Sequence, residues 1–526
     1  MTKGYLSVLV FLFFSFQQEV FSQRAKTHVL TADEAKIVRK DAATMFSSED
    51  YRGALDAYRD LYKSAPNNVD FNFKLGLCYI ETNVNKREAV KYLKFACESK
   101  EAKKEWLYYL GIAYMYNEQW DEAIETFREY QQSKSKPGKD FMTPDRLIEM
   151  CENANELSSR PINCTYTNLG KTVNSPFDEY NPFITADGLS LIYSARRKGN
   201  MGGFIEDLGI YTADIFSSYW KDTIWSKARS MGANVNSEWD EESVGLSSTG
   251  DQVLIYNDNA LAFGDISIAT LRGKLWQRPL LLSEQINTKQ EENGACMTAD
   301  GNTIYFSSNR KESNGGFDLF VISRNEAGDW GMPINLGLDV NTAYDDINPY
   351  LSTDEKKLFF ASKGWTSMGG FDLFYCEWND SENKWGKPKN LGYPLNNSED
   401  NMFISFTGDE RFAFVSAVRP EGFGDRDIYM VEFNDTSHHP LKHVITGNVN
   451  GRVEVTKVTL ENKQTGKIIE THPSSTLNQF AFAIGPGEYT LHVEGYKFIP
   501  YSEDITVGNE FPPELIAKTI EVQKTK

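Results

Sequence analysis

A repeat of about 55 residues in the middle of the chain constrains its fold more than any other feature of the sequence. Between residues 159 and 436, apolar and polar residues alternate with a period of two, which is typical of β-strands. The ends of five apolar strands lie 63, 50, 54 and 55 residues apart, at Ser194, Asn257, Ser307, Ala361 and Ser416. Each unit has room for four short strands. The pattern predicts an all-β, five-bladed propeller over residues 159–436.

The first and last units of this repeat are complementary. The fifth unit stops near Phe433 after three strands, and its missing fourth strand should resemble Pro333–Gly337 of the third unit. A segment of that kind stands alone at the start of the region, at Tyr166–Gly170. We therefore expect residues 164–170 to supply the outer strand of the last blade, which would remove an open sheet edge. An open array is the alternative.

Residues 24–158 have a helical period and also repeat. Ala54, Ala89 and Ala123 lie 35 and 34 residues apart, and small residues at such intervals are typical of helix crossings in tetratricopeptide (TPR) repeats. Three units fit, so this region is predicted to be an α-helical TPR solenoid. A last helix should begin at Thr143-Pro144, because proline is favoured at the first helical position.

The two ends of the chain differ from these regions. Lys3 and the apolar run Leu6–Phe16 are typical of a secretory signal peptide, which we place at residues 1–23. The run is too short to span a bilayer, and no cysteine follows it that could carry a lipid anchor. At the other end, residues 440–526 alternate as strands separated by glycine turns. They predict one small β-sandwich.

Several motifs resemble known families. The propeller units are similar to the WD40-like PD40 repeats of TolB-type propellers, through Thr298-Ala-Asp-Gly301, Tyr305–Arg310 and Gly315–Phe320. The C-terminal region resembles carboxypeptidase-regulatory-like domains, through Thr465-Gly-Lys467 and Gly487–Tyr496, which implies a transthyretin-like fold. The order of the three regions resembles PorE-like and other OmpA-family envelope proteins of Bacteroidetes.

This resemblance implies a function but has one departure. PorE-like proteins belong to the type IX secretion system and continue into an OmpA-like domain that binds peptidoglycan. No such domain follows the sandwich here, so direct binding to peptidoglycan is not expected. The resemblance implies a protein of the periplasm or one peripheral to the outer membrane, with no transmembrane segment.

The acidic residues are concentrated in the predicted propeller. The chain has a net charge of −19, and residues 159–436 carry 24 Lys and Arg against 40 Asp and Glu. An acidic protein of this kind is not expected to bind nucleic acid, because phosphate binding needs a basic surface.

One acidic position recurs in every unit, 16 residues before the strand end. The five residues are Asp178, Glu241, Glu291, Asp345 and Asp400. Because this position precedes the innermost strand of a blade, the carboxylates should ring one mouth of the central channel. Such a ring would attract a basic peptide segment or a cation. The alternative is structural, since carboxylates there can also cap turns and bond the backbone of a neighbouring blade.

A second candidate site is the concave groove of the TPR helices. Five side chains fall on the groove side by register: Phe73, Leu77, Tyr108, Ile112 and Tyr116. They would grip a helix or extended peptide of a partner protein. Packing between successive helical units is the alternative.

The sequence contains no recognisable catalytic set. None of the six histidines lies between residues 29 and 437, so the helical and propeller regions lack the commonest general base. We therefore predict no enzyme activity, no catalytic residue, no cofactor and no metal site, and we interpret His438, His439 and His443 as part of a polar linker. Cys78 and Cys97 could pair in an oxidising compartment, although buried thiols are favoured.

These features predict a non-enzymatic periplasmic scaffold. It would bind other envelope proteins within a bacterial envelope complex, associated with type IX secretion or the outer membrane. Two alternatives stay open at this point. One is a periplasmic sensor whose propeller binds a ligand or cation, and the other is the accessory subunit of a hydrolase.

Overall fold

The computed structural model describes residues 29–133, 142–203, 210–221, 223–258, 264–434, 442–451, 453–471, 478–509 and 515–525. The predicted signal peptide, residues 1–23, and His438 and His439 lie outside these ranges. The chain forms two compact units, one up to residue 113 and one from residue 114 onward. A helical region is followed by a mostly β region.

The helical region consists of seven described α-helices and one 3₁₀ turn. They are α1 (Ala32–Ser47), α2 (Tyr51–Ser64), α3 (Val69–Ile80), the 3₁₀ turn Lys86–Glu88, α4 (Ala89–Cys97), α5 (Trp106–Tyr116), α6 (Trp120–Gln132) and α7 (Pro144–Ser158). In the first unit, α1 packs on α2, α2 on α3 and α3 on α4. Ala54 and Ala89 are fully buried, and a Cβ atom on Gly76 would lie 2.5 Å from Cγ of Leu93. The repeated small residues therefore mark the places where helices come closest.

Helix α7 belongs to the second unit and begins where the sequence predicts. Pro144 is its first residue, and Thr143 caps it by accepting a hydrogen bond from the Arg146 backbone (Oγ1 to N 3.3 Å). The buried guanidinium of Arg146 donates to the carbonyls of Lys363 and Gly364 at 2.8 Å each. These bonds attach α7 to the β region.

The β region contains five antiparallel sheets. Their strands in the first half of the region are β1 (Cys164–Asn168), β2 (Asp178–Ile184), β3 (Ser190–Arg196), β4 (Asp214–Lys221), β5 (Ile224–Trp225), β6 (Arg229–Ser230), β7 (Asp240–Leu246), β8 (Gln252–Asp258), β9 (Asp265–Arg272), β10 (Leu275–Trp276) and β11 (Leu280–Leu281). The second half contains β12 (Glu292–Met297), β13 (Thr303–Ser308), β14 (Asp318–Ser323), β15 (Ile334–Asn335), β16 (Asp346–Leu351), β17 (Lys357–Ser362), β18 (Asp372–Asn379), β19 (Lys384–Trp385), β20 (Lys389–Asn390), β21 (Ile404–Phe406), β22 (Phe412–Ala417) and β23 (Asp427–Phe433).

In sheets 1 to 4 the first four strands are paired in chain order, and the fifth strand of sheets 1, 2 and 4 pairs with the third. Sheet 1 holds β2–β6, sheet 2 β7–β11, sheet 3 β12–β15 and sheet 4 β16–β20, whereas sheet 5 has the order β1-β23-β22-β21. Strand β1 pairs antiparallel with β23, from Cys164 opposite Phe433 to Asn168 opposite Tyr429. The pairing predicted for residues 164–170 is therefore confirmed over Cys164–Asn168. Strand β2 packs on β7, β7 on β12 and β12 on β16, and β2 also packs on β21. The Tyr350 hydroxyl of β16 donates to the Phe406 carbonyl of β21 at 3.2 Å.

The last region is a sandwich of two sheets over one core. Its strands are β24 (His443–Asn450), β25 (Glu454–Asn462), β26 (Ile468–Thr471), β27 (Gln479–Ile484), β28 (Gly487–Tyr496), β29 (Tyr501–Val507) and β30 (Leu515–Glu521). One sheet has the order β27-β24-β30 and the other β26-β25-β28-β29. Across the part of the chain that the structure describes, no helix combines the length and apolar character needed to cross a bilayer.

Candidate functional site

The five acidic positions of the predicted ring lie in the connections that lead into the first strand of each sheet. Every connection also carries an asparagine that bonds the third strand of the preceding sheet. Asn236, for example, accepts from the backbone N–H of Ile215 at 2.9 Å and donates to its carbonyl at 3.0 Å. The equivalent pairs are Asn174 with Ile428, Asn287 with Ile266, Asn341 with Leu319 and Asn396 with Leu373. These side chains replace the backbone of a missing strand and fix the connection.

Two polar residues lie four and five positions after each asparagine, and the second of them caps its own connection. Glu241 accepts from the backbone N–H of Ser237 at 2.7 Å and from the Ser237 hydroxyl. Glu179, Glu292, Asp346 and Asn401 accept the same backbone bond, from the residue four positions earlier in each case.

The first of the two residues reaches the preceding sheet. Asp345 accepts from the backbone N–H of Phe317 at 3.1 Å, and Asp400 accepts from that of Phe371 at 2.9 Å. Asp178 accepts the same kind of bond from Arg426, whose guanidinium also pairs with it at 2.8 and 2.5 Å. Glu291 differs, because it accepts from the Tyr256 hydroxyl at 3.0 Å.

The structure corrects the register of the predicted ring in sheet 2. Asp240 accepts from the backbone N–H of Ala213, so Asp240 is the counterpart of Asp178, and Glu241 is the counterpart of Glu179. The spacing from the strand end shifted the alignment by one residue, because Tyr256, not Asn257, is the counterpart of Ser194. In four of the five connections an asparagine is followed by Ser or Thr, then by two further residues, and then by two acids. Aligning the units on this pattern would have revealed the shift.

The carboxylates of the predicted ring are thus engaged in structural bonds within the described residues. Two also have cationic neighbours: Asp345 lies 3.1 Å from Lys363 Nζ, and Asp178 lies 2.5 Å from the Arg426 guanidinium. These contacts agree with the structural alternative, in which the acids tie neighbouring sheets together. Of the five, Asp400 is exposed and Glu241 is buried.

Several buried carboxylates of the β region should make the free energy of unfolding fall as pH rises. Burial raises the pKa of Glu179, Glu241 and Asp346 to about 7 and that of Asp372 to about 8. The folded protein therefore holds protons that the unfolded chain releases above about pH 4. The stabilisation that these four groups contribute is fully present below about pH 4 and is lost as the pH rises through about 7.

We expect the melting temperature of the full-length protein to be higher at about pH 5 than at about pH 8. Differential scanning calorimetry measures this difference. Glu241→Gln, which removes one titrating group, should make the difference smaller. Glu238→Gln changes an exposed carboxylate of the same connection and should leave the difference unchanged. A melting temperature that rises steadily from pH 5 to pH 8 would contradict the prediction.

A cleft not predicted from the sequence lies between the sheets and the sandwich. It has a volume of about 780 Å³, and aromatic side chains from both regions line it. Trp385 lies edge-on to Tyr305 and Trp378, with ring centroids 5.9 and 5.1 Å apart. Tyr489 and Lys467 face them from the sandwich. Aromatic and charged groups on opposite walls are suited to an extended peptide.

The residues of the predicted TPR groove differ in accessibility. Leu77 and Tyr108 are buried, with 8% and 6% of their surface exposed. Phe73 is half-buried and stacks on Trp106, with ring centroids 4.3 Å apart. Ile112 is half-buried too, and so is Tyr116, which belongs to the second unit. Phe73 and Ile112 therefore remain accessible groove candidates in the first unit.

The cysteines in the described part of the chain are present as thiols. Cys78 and Cys97 are not joined by a disulfide bond, and burial raises the pKa of Cys78 to about 12. Among the described residues, no three His, Cys, Asp or Glu side chains are grouped so that they could hold a metal ion.

Comparison with solved structures finds likenesses for separate parts of the chain. The first TPR domain of Spaghetti (RPAP3) bound to an HSP90 peptide is 15% identical, covers 24% of this chain and 98% of its own, and has a TM-score of 0.20. A thermostable family-43 glycoside hydrolase is 12% identical, covers 51% of this chain and 91% of its own, with a TM-score of 0.34. The tricorn protease is 11% identical and covers 65% of this chain and 33% of its own, with a TM-score of 0.31.

Comparison of this sequence with protein-family models finds matches in the helical region. No curated protein sequence is similar enough to count as a relative of this chain. Models of the tetratricopeptide repeat match residues 46–83 and residues 107–133. These segments contain α2, α3, most of α5 and α6. The helical part of the chain thus contains two segments that match tetratricopeptide repeats.

Proposed function

We propose that this protein is a non-enzymatic scaffold that binds other proteins of a bacterial envelope complex. The observation that carries the proposal is the match of two helical segments, residues 46–83 and 107–133, to tetratricopeptide repeats. Repeats of this kind bury only part of their apolar surface against each other and present the rest as a concave face for partner proteins. Half-buried Phe73 and Ile112 are the side chains of that face in the first unit.

The β region would act as a rigid platform for the same complex. We interpret its five sheets as the blades of a five-bladed propeller, closed by β1 on the outer edge of sheet 5. The packing of β2 on both β7 and β21 supports this interpretation. The C-terminal sandwich would be a transthyretin-like, carboxypeptidase-regulatory-like domain, as its Thr465-Gly-Lys467 and Gly487–Tyr496 motifs suggest.

The cellular setting is proposed from the sequence. A basic start and an apolar run at residues 1–23 support export to the periplasm. The order of TPR, propeller and sandwich motifs supports a role near the outer membrane, with type IX secretion as the most specific candidate. Other envelope proteins would be the partners.

Capture of native partners by the full-length protein tests this proposal. We expect crosslinked pull-down from envelope fractions to recover a defined set of proteins with the wild type. Ile112→Glu should recover markedly less of that set, because it places an unpaired charge on an apolar binding face. Quantitative mass spectrometry measures the yields, and melting curves confirm that the variant is folded.

A matched control comes from the first helix. Ile37 is 63% exposed on α1 and is not among the predicted groove residues, so Ile37→Glu should capture as much as the wild type. If Ile112→Glu destabilises the fold, the milder Ile112→Ala replaces it. Equal yields for the wild type and a folded Ile112 variant would contradict a partner-binding groove at this position.

A further inference from the structure

Two β-hairpins of neighbouring sheets carry a surface whose chemistry differs from the rest of the β region. One hairpin joins β4 to β5, with Trp220 opposite Trp225, and the other joins β9 to β10, with Trp276 opposite Leu271. Each hairpin is anchored by a tryptophan that packs against the core of the β region, Trp225 in the first and Trp276 in the second. Trp225 is 6% exposed and lies edge-on to Phe414, with ring centroids 5.8 Å apart.

Large apolar side chains are exposed at the tips of both hairpins. Ile224 is 66% exposed and Leu275 is 61% exposed, although each lies next to a tryptophan anchored in the fold. Tyr219 and Trp220, on the first hairpin, are 45% and 40% exposed. Because the hairpins are short and anchored, these side chains cannot fold back into a core.

Exposed cations lie beside these apolar tips, although the first hairpin also contains Asp222. Residues 271–281 contain Arg272, Lys274 and Arg278 and no acidic residue. All three are exposed, as are Lys227 and Arg229 beside the first hairpin. This is unusual in a region where acidic residues outnumber basic ones by 40 to 24.

The corresponding hairpins of sheets 3 and 4 show that the fold does not impose this composition. The connection before Trp330 carries Glu326 and Asp329, and the connection before Trp385 carries Asp380 and Glu382. Neither places a large apolar residue at its tip. The hairpin connections of sheets 1 and 2 thus differ in charge and polarity from those of sheets 3 and 4, although sheet 3 exposes Met332 and Ile334 after its hairpin, at 79% and 66%.

Both hairpins lie on the same side of their sheets. Tyr219 of the first and Trp276 of the second line one cavity of about 320 Å³, and Asn234 Nδ2 donates to the Trp276 carbonyl at 2.9 Å. Neither Ile224 nor Leu275 lines that cavity. Because Ile224 and Leu275 are also 66% and 61% exposed, the apolar tips project into solvent.

We infer that these two hairpins bind an anionic lipid surface. We call the eight residues concerned the basic hairpin surface: Tyr219, Trp220, Ile224, Lys227, Arg272, Lys274, Leu275 and Arg278. A lipid headgroup layer offers phosphate groups to the cations, and its apolar carbon layer receives the projecting tips without needing a complementary pocket. Tyrosine and tryptophan are favoured at that depth. An acidic protein would satisfy the cations, but it would also need an apolar surface shaped to receive the two projecting tips.

Vesicle co-sedimentation of the full-length protein tests this inference independently of the protein-binding role. Vesicles of phosphatidylethanolamine and phosphatidylglycerol should bind the protein, and vesicles of phosphatidylcholine should bind it much less. Binding should weaken as salt rises, because exposed charges are screened. The double variant K274Q/R278Q should bind roughly tenfold or more weakly, since each cation contributes about 1 kcal/mol near an anionic membrane. Leu275→Asn should also weaken binding.

The fourth hairpin supplies a control with the same change of charge. Lys384 and Lys387 are exposed on sheet 4, so K384Q/K387Q should bind vesicles as the wild type does. An equal loss in both double variants would overturn the inference, because it would show dependence on net charge alone. So would binding to soluble polyglutamate that K274Q/R278Q abolishes and Leu275→Asn leaves unchanged, which would identify an acidic protein as the partner. Absence of binding to the anionic vesicles would overturn it as well.

Discussion

A chain in which Tyr166 and Asn168 are both replaced by alanine should lose most of the stability of its β region. The two side chains lie on β1, the strand that closes sheet 5. The Tyr166 hydroxyl donates to the Pro394 carbonyl at 3.0 Å, and its ring lies 6.2 Å from that of Tyr429. Asn168 Nδ2 donates to the buried carboxylate of Asp427 at 2.7 Å. Tyr166 is half-buried, so its loss should cost less than the roughly 3–5 kcal/mol that a fully buried aromatic side chain costs.

Loss of the Asn168 bond adds to this cost. It leaves a buried carboxylate with one fewer donor, which costs about 1–3 kcal/mol. The same strand offers a matched control, since Thr167 is exposed and Thr167→Ala should change stability little. Urea unfolding followed by tryptophan fluorescence measures both variants. A double variant as stable as the wild type would show that β1 does not close the sheets.

The repeats explain why this closure could be predicted from the sequence. A fifth unit with three strands and a lone Tyr166–Gly170 segment fit each other, and backbone pairing at sheet edges follows from such patterns. The start of α7 could be predicted for a similar reason, because the neighbouring residues Thr143 and Pro144 determine it. Where neighbouring residues decide the structure, the sequence was sufficient.

The acidic ring shows where the sequence was not sufficient. The sequence reveals that five units carry an acid at a similar place, but it does not reveal what each carboxylate contacts. Asp345 and Asp400 bond backbone N–H groups that lie about 30 residues earlier in the chain, in the preceding sheet. Contacts between sheets depend on the stacking of whole units, so a structural role and a binding role were equally compatible with the pattern.

The TPR face illustrates the same limit. Helical register places Phe73, Leu77, Tyr108 and Ile112 on one side, but register does not determine how much of that side is covered. Helix α5 is apolar on every side, and a helix of that composition is buried. This is the physical reason that Tyr108 is buried although its register predicted a groove position.

The connection between the sheets and the sandwich should depend on Lys442. Its ammonium group lies 2.9 Å from Asp354 Oδ2 and also contacts Glu410, which in turn lies 2.6 Å from Lys357 Nζ. Lys442 is 8% exposed and Glu410 is 1% exposed. Burial alone would lower the pKa of Lys442, but Glu410 and Asp354 outweigh it and raise the pKa above its ordinary value. Lys442 is therefore charged when it docks the sandwich.

Close apolar contact accompanies this cluster. Val444 packs with Ala186 and Ala481, and a Cβ atom on Gly408 would lie 2.8 Å from Cγ2 of Val444. The glycine lets the first sandwich strand approach the turn of sheet 5. The buried charges and the apolar contact therefore act on the same short interface, and a change in one should loosen the other.

Lys442→Met should consequently destabilise the protein by up to about 3–5 kcal/mol, because it removes the cation that pairs with Asp354 and one of the two described cations that pair with buried Glu410. Methionine has a similar volume, so the effect reports the charge and not a cavity. In calorimetry, the sandwich should melt before the sheets in this variant. The control Lys463→Met removes an exposed pair with Asp504 in the same sandwich and should change little, since exposed ion pairs stabilise weakly. If the two variants melted alike, the sandwich would be held by its apolar contacts and not by the buried cluster.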